Sequence, residues 1–347
     1  MGRLLLRVLR TIAPLENVRL ASEYRAYSSQ PISEKLLENR AGALKEASAI
    51  ITDWEQQQWT PDIWFSYHPY YKSPDWIGPQ VARRFGCSII TVEASFSAKR
   101  ANDAWSEWHQ QHVDGLRQAD CHLYMKQRDR AGLLALPAAE DQLVHLPPFI
   151  DIEPFASLPR KPRGTSQATR LITVAMMRAD VKLKSYRYLA EALTGMQHLD
   201  WTLDIVGGGA TRGEVESSFA GPIAERVRWH GEVAPEGVPA FLSAADVFVW
   251  PGFGEAYGLA YLEAQACGLP VVAQDCAGVP EVVRAGSTGL LAPENDMDGF
   301  RAALSSLIEN REKAHEMGLR AQSFVMTERS ITQAQQIIRK TLQRLLA

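Results

Sequence analysis

Strand-like and helix-like segments alternate along almost the whole chain. Short apolar runs rich in β-branched residues predict strands at residues 17–22, 62–67, 87–95, 120–126, 171–177, 201–207, 226–232, 246–252 and 270–275. Segments with apolar residues at helical spacing predict helices at residues 34–52, 79–85, 186–193, 235–244 and 256–266. This alternation is typical of parallel α/β sheets.

A proline-rich stretch divides the two periodic blocks. Prolines stand at positions 147, 148, 154, 159 and 162, and an Arg-Gly-Thr-Ser run follows them. We therefore expect an N-terminal domain at residues 1–150, a linker at 151–164 and a C-terminal domain at 165–325. Residues 326–347 carry a helical pattern that no strand follows, and we expect this helix to pack back toward the N-terminal domain.

The chain opens on an amphipathic helical pattern. Its apolar stripe consists of Leu4, Leu5, Val8, Leu9 and Ile12. The simplest interpretation is a helix packed on a sheet. Because Arg3, Arg7 and Arg10 lie on other faces, a helix that touches anionic lipid at the inner face of the membrane stays as the alternative.

Composition and charge narrow the class of protein. The 347 residues are 46 % hydrophobic and 22 % charged, which suits a globular protein of two domains. A net charge of −3 provides no global attraction for nucleic acid, so a nucleotide ligand needs a local cationic site. The four cysteines form no C-x-x-C pair, and no apolar run approaches the roughly 18 residues of a membrane span. We expect a cytoplasmic protein without a zinc site or disulfides.

The segment at residues 246–275 carries the strongest chemical signal. An apolar strand ends in a loop that contains Gly252 and Gly254, Glu255 follows, and the next helix carries Glu263. Ligands of open parallel sheets bind outside the carboxyl ends of the strands. A loop that opens a helix there offers free N–H groups and a positive dipole end, which suit a pyrophosphate.

The same segment resembles a known family. Residues 251–273 read PGFGEAYGLAYLEAQACGLPVVA, which resembles the signature of the family 4 retaining glycosyltransferases of GT-B fold. The resemblance implies that Glu255 contacts hydroxyls of the transferred sugar and that Glu263 binds the ribose hydroxyls. It also implies that the loop at Gly254 presents backbone amides to the distal phosphate. These amides belong to Ala256, Tyr257, Gly258 and Leu259.

Three other segments resemble the same family. VAMMRADVKLKSYRYLAEAL is similar to the strand, loop and helix that supply an Arg and a Lys to the diphosphate. Arg178 fits the arginine, while Lys182 and Lys184 are each one residue from the usual spacing, so both stay open. Gly207 lies in the glycine-rich turn after the next strand. VRWHGEV resembles the strand whose loop frames the base, at Gly231, Glu232 and Val233.

The same residues also fit two other classes of enzyme, a dehydrogenase and a glycosidase. The glycines at 207–209 with Glu232 downstream also fit a dinucleotide-binding dehydrogenase, although a glycine-rich turn alone is weak evidence. Glu255 and Glu263 could instead be a glycosidase pair. Eight residues along a helix span roughly 12 Å, whereas glycosidase carboxylates stand roughly 5–9.5 Å apart. The pair suits the two ends of one nucleotide-sugar better.

The N-terminal half contains an aromatic loop after a predicted strand. Residues 61–79 read PDIWFSYHPYYKSPDWIGP, and we expect the aromatic cluster around Trp64–Trp76 not to be all core. Aromatic faces are good sugar platforms, so His68, Tyr70 and Trp76 are candidates for an acceptor site. Members of the family often carry a histidine after a strand of this domain, near the sugar. In TVEASF this chain has Glu93 instead, which we include among the acceptor candidates.

The resemblance implies a fold and a reaction. The fold is α/β and GT-B-like, with two Rossmann-like domains facing a cleft. The reaction is transfer of a hexosyl group, with retention, from a nucleoside diphosphate sugar to a hydroxyl of a carbohydrate, a lipid or a small molecule. We expect no cofactor and no nucleic-acid partner. We also expect no metal, because an arginine and a lysine can neutralise the leaving diphosphate.

Two alternatives stay open at this point. One is a nucleotide-sugar-binding protein without transferase activity, and the other is a nucleotide-sugar epimerase on the same fold. The family normally begins with a β-strand and a glycine-rich loop before the first helix, whereas this chain opens on a helical pattern. We therefore expect such a strand and loop upstream of Met1 in a fully active enzyme.

Overall fold

The computed structural model describes residues 1–14, 17–136, 140–156 and 168–347. The chain forms two compact units, each built around one parallel sheet. Unit 1 comprises Met1–Pro147 and Ala334–Ala347, and unit 2 comprises Pro148–Gln333. Residues 157–164 of the predicted linker lie outside the described residues.

Unit 1 contains a four-stranded sheet in the order β1-β2-β3-β4, with every neighbouring pair parallel. Its strands are β1 (Ile63–Tyr67), β2 (Ser88–Val92), β3 (Cys121–Tyr124) and β4 (Leu143–His145). Its first helices are α1 (Gly2–Ile12), α2 (Ser33–Gln56), α3 (Gly78–Phe85), α4 (Ser106–Leu116) and α5 (Gln127–Leu133). On α1, Leu5 and Val8 are buried, so part of the predicted apolar stripe packs inside the unit.

The core of unit 1 is rich in tryptophan. One buried cluster contains Trp54, Trp64, Trp76, Trp105 and Trp108. Both tryptophans of the aromatic cluster around residues 64–76 are therefore core, whereas Tyr67 of the same cluster is 43 % exposed, so the cluster as a whole is not all core, as expected. Rings of this size fill the space that a short four-stranded sheet leaves beneath its helices.

The predicted strand at residues 17–22 was also wrong, since no strand forms there. Side-chain contacts with other parts of the unit hold this region instead. The Arg19 guanidinium lies 4.3 Å from the centre of the Trp59 ring, and the Ser22 hydroxyl donates to Glu46 of α2 at 2.8 Å. The apolar alternation of residues 17–22 does not reveal these side-chain contacts, so the pattern alone predicted a strand.

Unit 2 contains a six-stranded parallel sheet in the order β10-β9-β8-β5-β6-β7. Its strands are β5 (Thr169–Val174), β6 (Trp201–Val206), β7 (Val227–Gly231), β8 (Val247–Val249), β9 (Val271–Asp275) and β10 (Gly289–Pro293). Its helices are α6 (Glu153–Ala156), α7 (Val181–Thr194), α8 (Arg212–Ser218), α9 (Val238–Ser243), α10 (Leu259–Ala266), α11 (Met297–Glu309) and α12 (Arg311–Glu328). The last helix, α13 (Ile331–Leu345), begins in unit 2, and its residues from Ala334 onward belong to unit 1.

The strand order of unit 2 contains a topological switch point. From β5 the chain proceeds to β6 and β7 on one side, whereas β8, β9 and β10 extend on the other side. The loops after β5 and β8 therefore diverge and leave a crevice at the carboxyl ends of these strands. Open α/β sheets bind their ligands at such a crevice.

Eight of the nine predicted strands are confirmed, and β4 and β10 were not predicted. Helix α10 begins at Leu259, three residues later than the pattern indicated. Gly258, which precedes it, has a φ of +67°, so the helix cannot extend backward through this residue. The residues between β8 and α10 are therefore a loop.

Candidate active site

A cavity of about 330 Å³ lies at the switch point of unit 2, among the residues at and after the ends of β5, β6, β7 and β8. Seven residues singled out from the sequence line it. They are Lys182, Gly207, Glu232, Val233, Glu255, Gly258 and Leu259. Residues from four separate segments of the sequence thus meet at one cavity, because their strands β8, β5, β6 and β7 are successive neighbours in the sheet.

Glycine makes the β6 side of the cavity possible. Gly207 has a φ of +144°, and a Cβ atom on it would stand 2.0 Å from the Ala175 carbonyl oxygen. Its N–H donates to the Gly231 carbonyl at 2.7 Å, which ties the loop after β6 to the end of β7. The backbone of the two loops can approach this closely only without side chains, which leaves room for a ligand beside them.

Helix α7 directs Lys182 toward the cavity. Asp180 caps this helix, since its Oδ1 accepts from the Lys182 N–H at 2.8 Å. The cap fixes the first turn, and from there the Lys182 ammonium forms an ion pair with Glu255 Oε1. Both side chains are mostly buried, with 15 % and 12 % of their surfaces exposed. The pair is therefore shielded from salt more than a surface pair is.

Glu255 has a second partner that the sequence analysis missed. The indole Nε1–H of Trp250 donates to Glu255 Oε1 at 3.1 Å. Trp250 follows β8 directly, is 2 % exposed and contributes to the cavity wall. The available signal was a large aromatic residue with a polar N–H at the carboxyl end of a buried strand, immediately before the loop that carries Glu255.

The structure places the other two candidate cations outside the cavity lining. The Arg178 side chain is 57 % exposed, with Nε 3.9 Å from Asp180 Oδ2. Lys184 is exposed; its ammonium lies 3.7 Å from the centre of the Phe253 ring and 3.5 Å from Asn295 Oδ1. Of the two lysines that the sequence left open, Lys182 is the one that the fold brings to the cavity.

Glu263 lies one turn after Leu259 on α10, beside the cavity but outside its lining. Its carboxylate makes no hydrogen bond or ion pair with any residue that the structure describes. Burial raises the pKa of this carboxyl above its usual range. A half-buried carboxylate without a protein partner is suited to accept hydrogen bonds from a ligand.

The backbone amides of Ala256, Tyr257 and Gly258 precede α10, and Leu259 is its first residue. The first N–H groups of a helix have no partner inside the helix. The loop is held in place at Glu255, whose carbonyl accepts from the Gly278 N–H at 2.9 Å. This part of the site therefore has the geometry of an anion-binding helix start, with Gly254 in the preceding turn.

The predicted acceptor residues lie in unit 1. Glu93 follows β2 and is buried; it accepts from the Tyr67 hydroxyl at 3.0 Å and lies 3.5 Å from the Lys126 ammonium. His68 Nδ1 is 3.7 Å from the same carboxylate, and the ring of Tyr70 lies 5.0 Å from that of His68. The fold thus brings His68, Tyr70 and Glu93 together at the carboxyl ends of β1 and β2.

Trp76 does not belong to that group. It is 7 % exposed, packs against Trp108 at 6.1 Å between ring centres, and is part of the tryptophan core. Its burial leaves no ring face for a sugar, so the interpretation of Trp76 as an acceptor platform is corrected. Tyr70, in contrast, lies beside His68, and burial raises the pKa of its hydroxyl above the usual value.

The described ranges contain neither a metal-binding cluster nor a membrane-spanning helix. No group of three or more His, Cys, Asp and Glu side chains there is arranged to hold a metal ion. None of the helices within those ranges combines the length and the apolar character that crossing a membrane requires.

Two parallel-sheet, Rossmann-like units define an α/β protein of GT-B class, and comparison with solved structures supports this assignment. A glycosyltransferase from Rickettsia africae superposes with a TM-score of 0.71 at 16 % identity, over 88 % of this chain and 81 % of that one. A sucrose-phosphate synthase from Thermosynechococcus elongatus gives 0.68 at 21 % identity, over 90 % and 79 %. At such identities the likeness establishes the fold.

Sequence comparison finds a family match within unit 2. Residues 168–310 match the model of the glycosyl transferases group 1. A GDP-mannose-dependent α-(1-6)-phosphatidylinositol monomannoside mannosyltransferase from Mycolicibacterium smegmatis is 31 % identical over 224 residues, which are 60 % of this chain and 58 % of that protein. The O-antigen chain mannosyltransferase B of Escherichia coli is 34 % identical over 46 % of this chain and 38 % of its own.

Residues 168–310 are therefore similar to the glycosyl transferases group 1, as the resemblance of residues 251–273 predicted, and the fold is that of the GT-B glycosyltransferases. The alignments span less than two thirds of the length of these two relatives.

Proposed function

We propose that this protein transfers a hexosyl group from a nucleoside diphosphate sugar to a hydroxyl acceptor, with retention at the anomeric carbon. The observation that carries the proposal is the cavity at the switch point of unit 2. It combines a buried carboxylate, a buried ammonium group and the start of α10 within the segment that matches the family. A nucleotide-sugar presents hydroxyls and phosphates together, and this set of groups complements both.

Each group has a distinct role in the proposal. Glu255 accepts hydrogen bonds from hydroxyls of the transferred sugar, and Glu263 accepts from the ribose. Lys182 stabilises the charge that develops on the leaving diphosphate, and Arg178 reaches the same phosphates from its exposed loop. The diphosphate in turn assists the incoming hydroxyl, so no protein nucleophile, cofactor or metal is required.

The relatives suggest which donor to test first. The mycobacterial relative carries a GDP-mannose-dependent activity in its name, and the relative from Escherichia coli is a mannosyltransferase. We therefore propose GDP-mannose as the leading donor and a polyol, free or lipid-linked, as the leading acceptor class. His68, Tyr70 and Glu93 of unit 1 are proposed to contact the acceptor, because hydroxyl-rich ligands suit aromatic rings beside a carboxylate.

A donor panel tests the proposal directly. Thermal unfolding is followed with GDP, UDP, GDP-mannose, UDP-glucose and UDP-N-acetylglucosamine, because a ligand at 100 times its Kd stabilises a protein by about 2.7 kcal/mol. The nucleotide-sugar that stabilises most is then incubated with an acceptor panel, and the released nucleoside diphosphate and the anomeric configuration of the product are measured. A parallel incubation with EDTA tests the expected independence from metal.

The outcomes separate this function from its alternatives. Acceptor-dependent release of the diphosphate with an α-linked product from an α-linked donor supports the proposal. Binding without turnover for any acceptor indicates a nucleotide-sugar-binding protein, and conversion of the donor into a stereoisomer indicates an epimerase. Glu255→Gln serves as the matched site variant and Glu236→Gln, an exposed residue outside the cavity lining, as its control.

A further inference from the structure

We propose that Trp250 is a positioning residue for the donor sugar, which acts by holding the Glu255 carboxylate. This inference rests on the proposed function of the cavity. The Trp250 side chain has one polar group, the indole Nε1–H, and this group donates to Glu255 Oε1 at 3.1 Å. The indole N–H is a donor only, so this hydrogen bond requires an acceptor at that position.

Both protein donors converge on the same oxygen of Glu255. The Lys182 ammonium pairs with Oε1, and the Trp250 N–H points to Oε1 as well. Neither contact uses Oε2, which lies on the side of Gly258, a residue of the cavity wall. The carboxylate is thus anchored through one oxygen, and the other oxygen is directed to a ligand.

Trp250 itself is held from several sides. Its carbonyl accepts from the Tyr261 hydroxyl at 3.1 Å, and its ring packs edge-on against Tyr186, with 4.8 Å between the ring centres. The side chain is 2 % exposed, so it has little freedom to turn away from Glu255. A locked donor of this kind reduces the number of carboxylate rotamers that a sugar would otherwise have to select on binding.

The two partners of Glu255 are not equivalent. An incoming diphosphate attracts Lys182, and any movement of the ammonium toward phosphate weakens its pair with Glu255. The Trp250 N–H is uncharged and rigidly packed, so its contact persists when the lysine is drawn away. Trp250 therefore has its largest effect when both sugar and diphosphate occupy the cavity.

The test compares sugar-dependent with sugar-independent binding. Calorimetry measures the affinities of GDP and GDP-mannose, or of the pair preferred in the donor panel, for wild type and Trp250→Phe. The variant keeps an aromatic ring and removes the N–H. We expect it to bind GDP as wild type does and to bind GDP-mannose about 10-fold more weakly, the size of one charge-assisted hydrogen bond.

Two controls separate positioning from folding. Trp201→Phe removes another buried indole N–H of unit 2, which donates to the Met196 carbonyl away from the cavity, and we expect both affinities to be unchanged. In a Glu255→Gln background, Trp250→Phe should weaken GDP-mannose binding by much less than 10-fold, because its acceptor is already neutral. A full 10-fold effect in that background overturns the inference, as does equal weakening of GDP and GDP-mannose.

If Trp250→Phe does not fold, an NMR spectrum of protein that keeps Trp250 provides a second test. With ¹⁵N-labelled tryptophan, the nine indole N–H groups give one signal each. Glu255→Gln should shift one of these signals far more than the rest, and an unchanged set of signals overturns the inference. If wild type binds neither nucleotide nor nucleotide-sugar, the proposed function fails, and this inference fails with it. If wild type binds both ligands and Trp250→Phe loses no affinity for GDP-mannose relative to GDP, the inference alone is refuted.

Discussion

Lys182 and Lys184 provide the sharpest test of the donor site, because they lie two residues apart on one helix and differ in their surroundings. Lys182 lines the cavity, and its ammonium pairs with Glu255. Lys184 is exposed over the Phe253 ring, outside the lining. We expect Lys182→Ala to weaken nucleoside diphosphate binding strongly and Lys184→Ala to change it less than twofold.

The magnitude follows from the contacts. A hydrogen bond between charged groups contributes about 1.5–3 kcal/mol, which corresponds to about 10- to 100-fold in affinity. Removal of the Lys182 ammonium also leaves the Glu255 carboxylate with Trp250 as its remaining donor in the site. The negative charge then faces the incoming diphosphate without compensation, so we expect the loss to lie toward the upper end of that range.

Calorimetric titration of both variants with GDP and UDP measures the effect, and thermal melting of the free proteins checks that unit 2 remains folded. Titration at two salt concentrations adds a second criterion, since a contact between phosphate and a mostly buried lysine is screened less than a surface contact. Unchanged affinity in Lys182→Ala, or a larger loss in Lys184→Ala, would refute the assignment of the cavity to the diphosphate.

Three further predictions concern the remaining features. Gly207→Ala should destabilise unit 2 by about 3 kcal/mol in a urea titration and lower nucleotide affinity, because its Cβ would meet the Ala175 carbonyl oxygen at 2.0 Å. The control Gly213→Ala lies on α8 with no atom within 4 Å of the new Cβ, so it should be neutral or stabilising in the same titration. Glu263→Ala should mainly raise the donor KM and Glu255→Ala should mainly lower kcat, whereas near-wild-type kinetics in both would exclude the two assignments. Burial lowers the pKa of His112 and of His122 to about 4, so the unfolded chain binds more protons between pH 6.5 and pH 4. Stability of unit 1 should therefore be complete above pH 6.5 and fall by several kcal/mol toward pH 4, and His122→Gln should flatten this dependence in urea titrations while His198→Gln, an exposed change, should not.

The local part of the site could be predicted from the sequence, because its residues are close together along the chain. The segment from β8 through α10 to β9 contains a strand, a glycine loop, two glutamates and a helix in one continuous stretch. The spacing of Glu255 and Glu263, with Gly252 and Gly254 before them and Gly258 between them, is therefore enough to define this part of the site. The apolar pattern also predicted eight of the ten strands that the structure describes, because buried parallel strands have a strong apolar pattern.

The choice between the two lysines could not be made in that way. The apolar pattern predicted a helix over residues 186–193, whereas α7 begins at Val181. Asp180 is the residue that starts this helix, and a helix that begins there places Lys182 in its first turn. An N-cap depends on one side chain, so it leaves little trace in a periodic pattern, although an aspartate before the lysines was visible in the sequence.

Unit 1 was harder to predict for a physical reason. Strand β4 has three residues, too few for an apolar period to emerge, and the aromatic residues that suggest a sugar platform also fill the core. Surface and core use of tryptophan look alike along the chain, because the same ring can serve either purpose. Only the packing of Trp76 against Trp108 separates the two uses.

The contacts of Glu255 connect these observations. Its carboxylate receives an ammonium from α7, 73 residues earlier in the chain, and an indole N–H from the end of β8, five residues earlier. The distant partner reaches it because β5 and β8 are adjacent in the sheet, although β6 and β7 separate them in sequence. The family signature thus supplies the acid, but the strand order supplies the charge that balances it. A mostly buried carboxylate is stable in the free protein only with such a partner, and a ligand that carries phosphates competes for the same lysine. Under the proposed function, donor binding therefore redistributes one positive charge between the Glu255 carboxylate and the diphosphate.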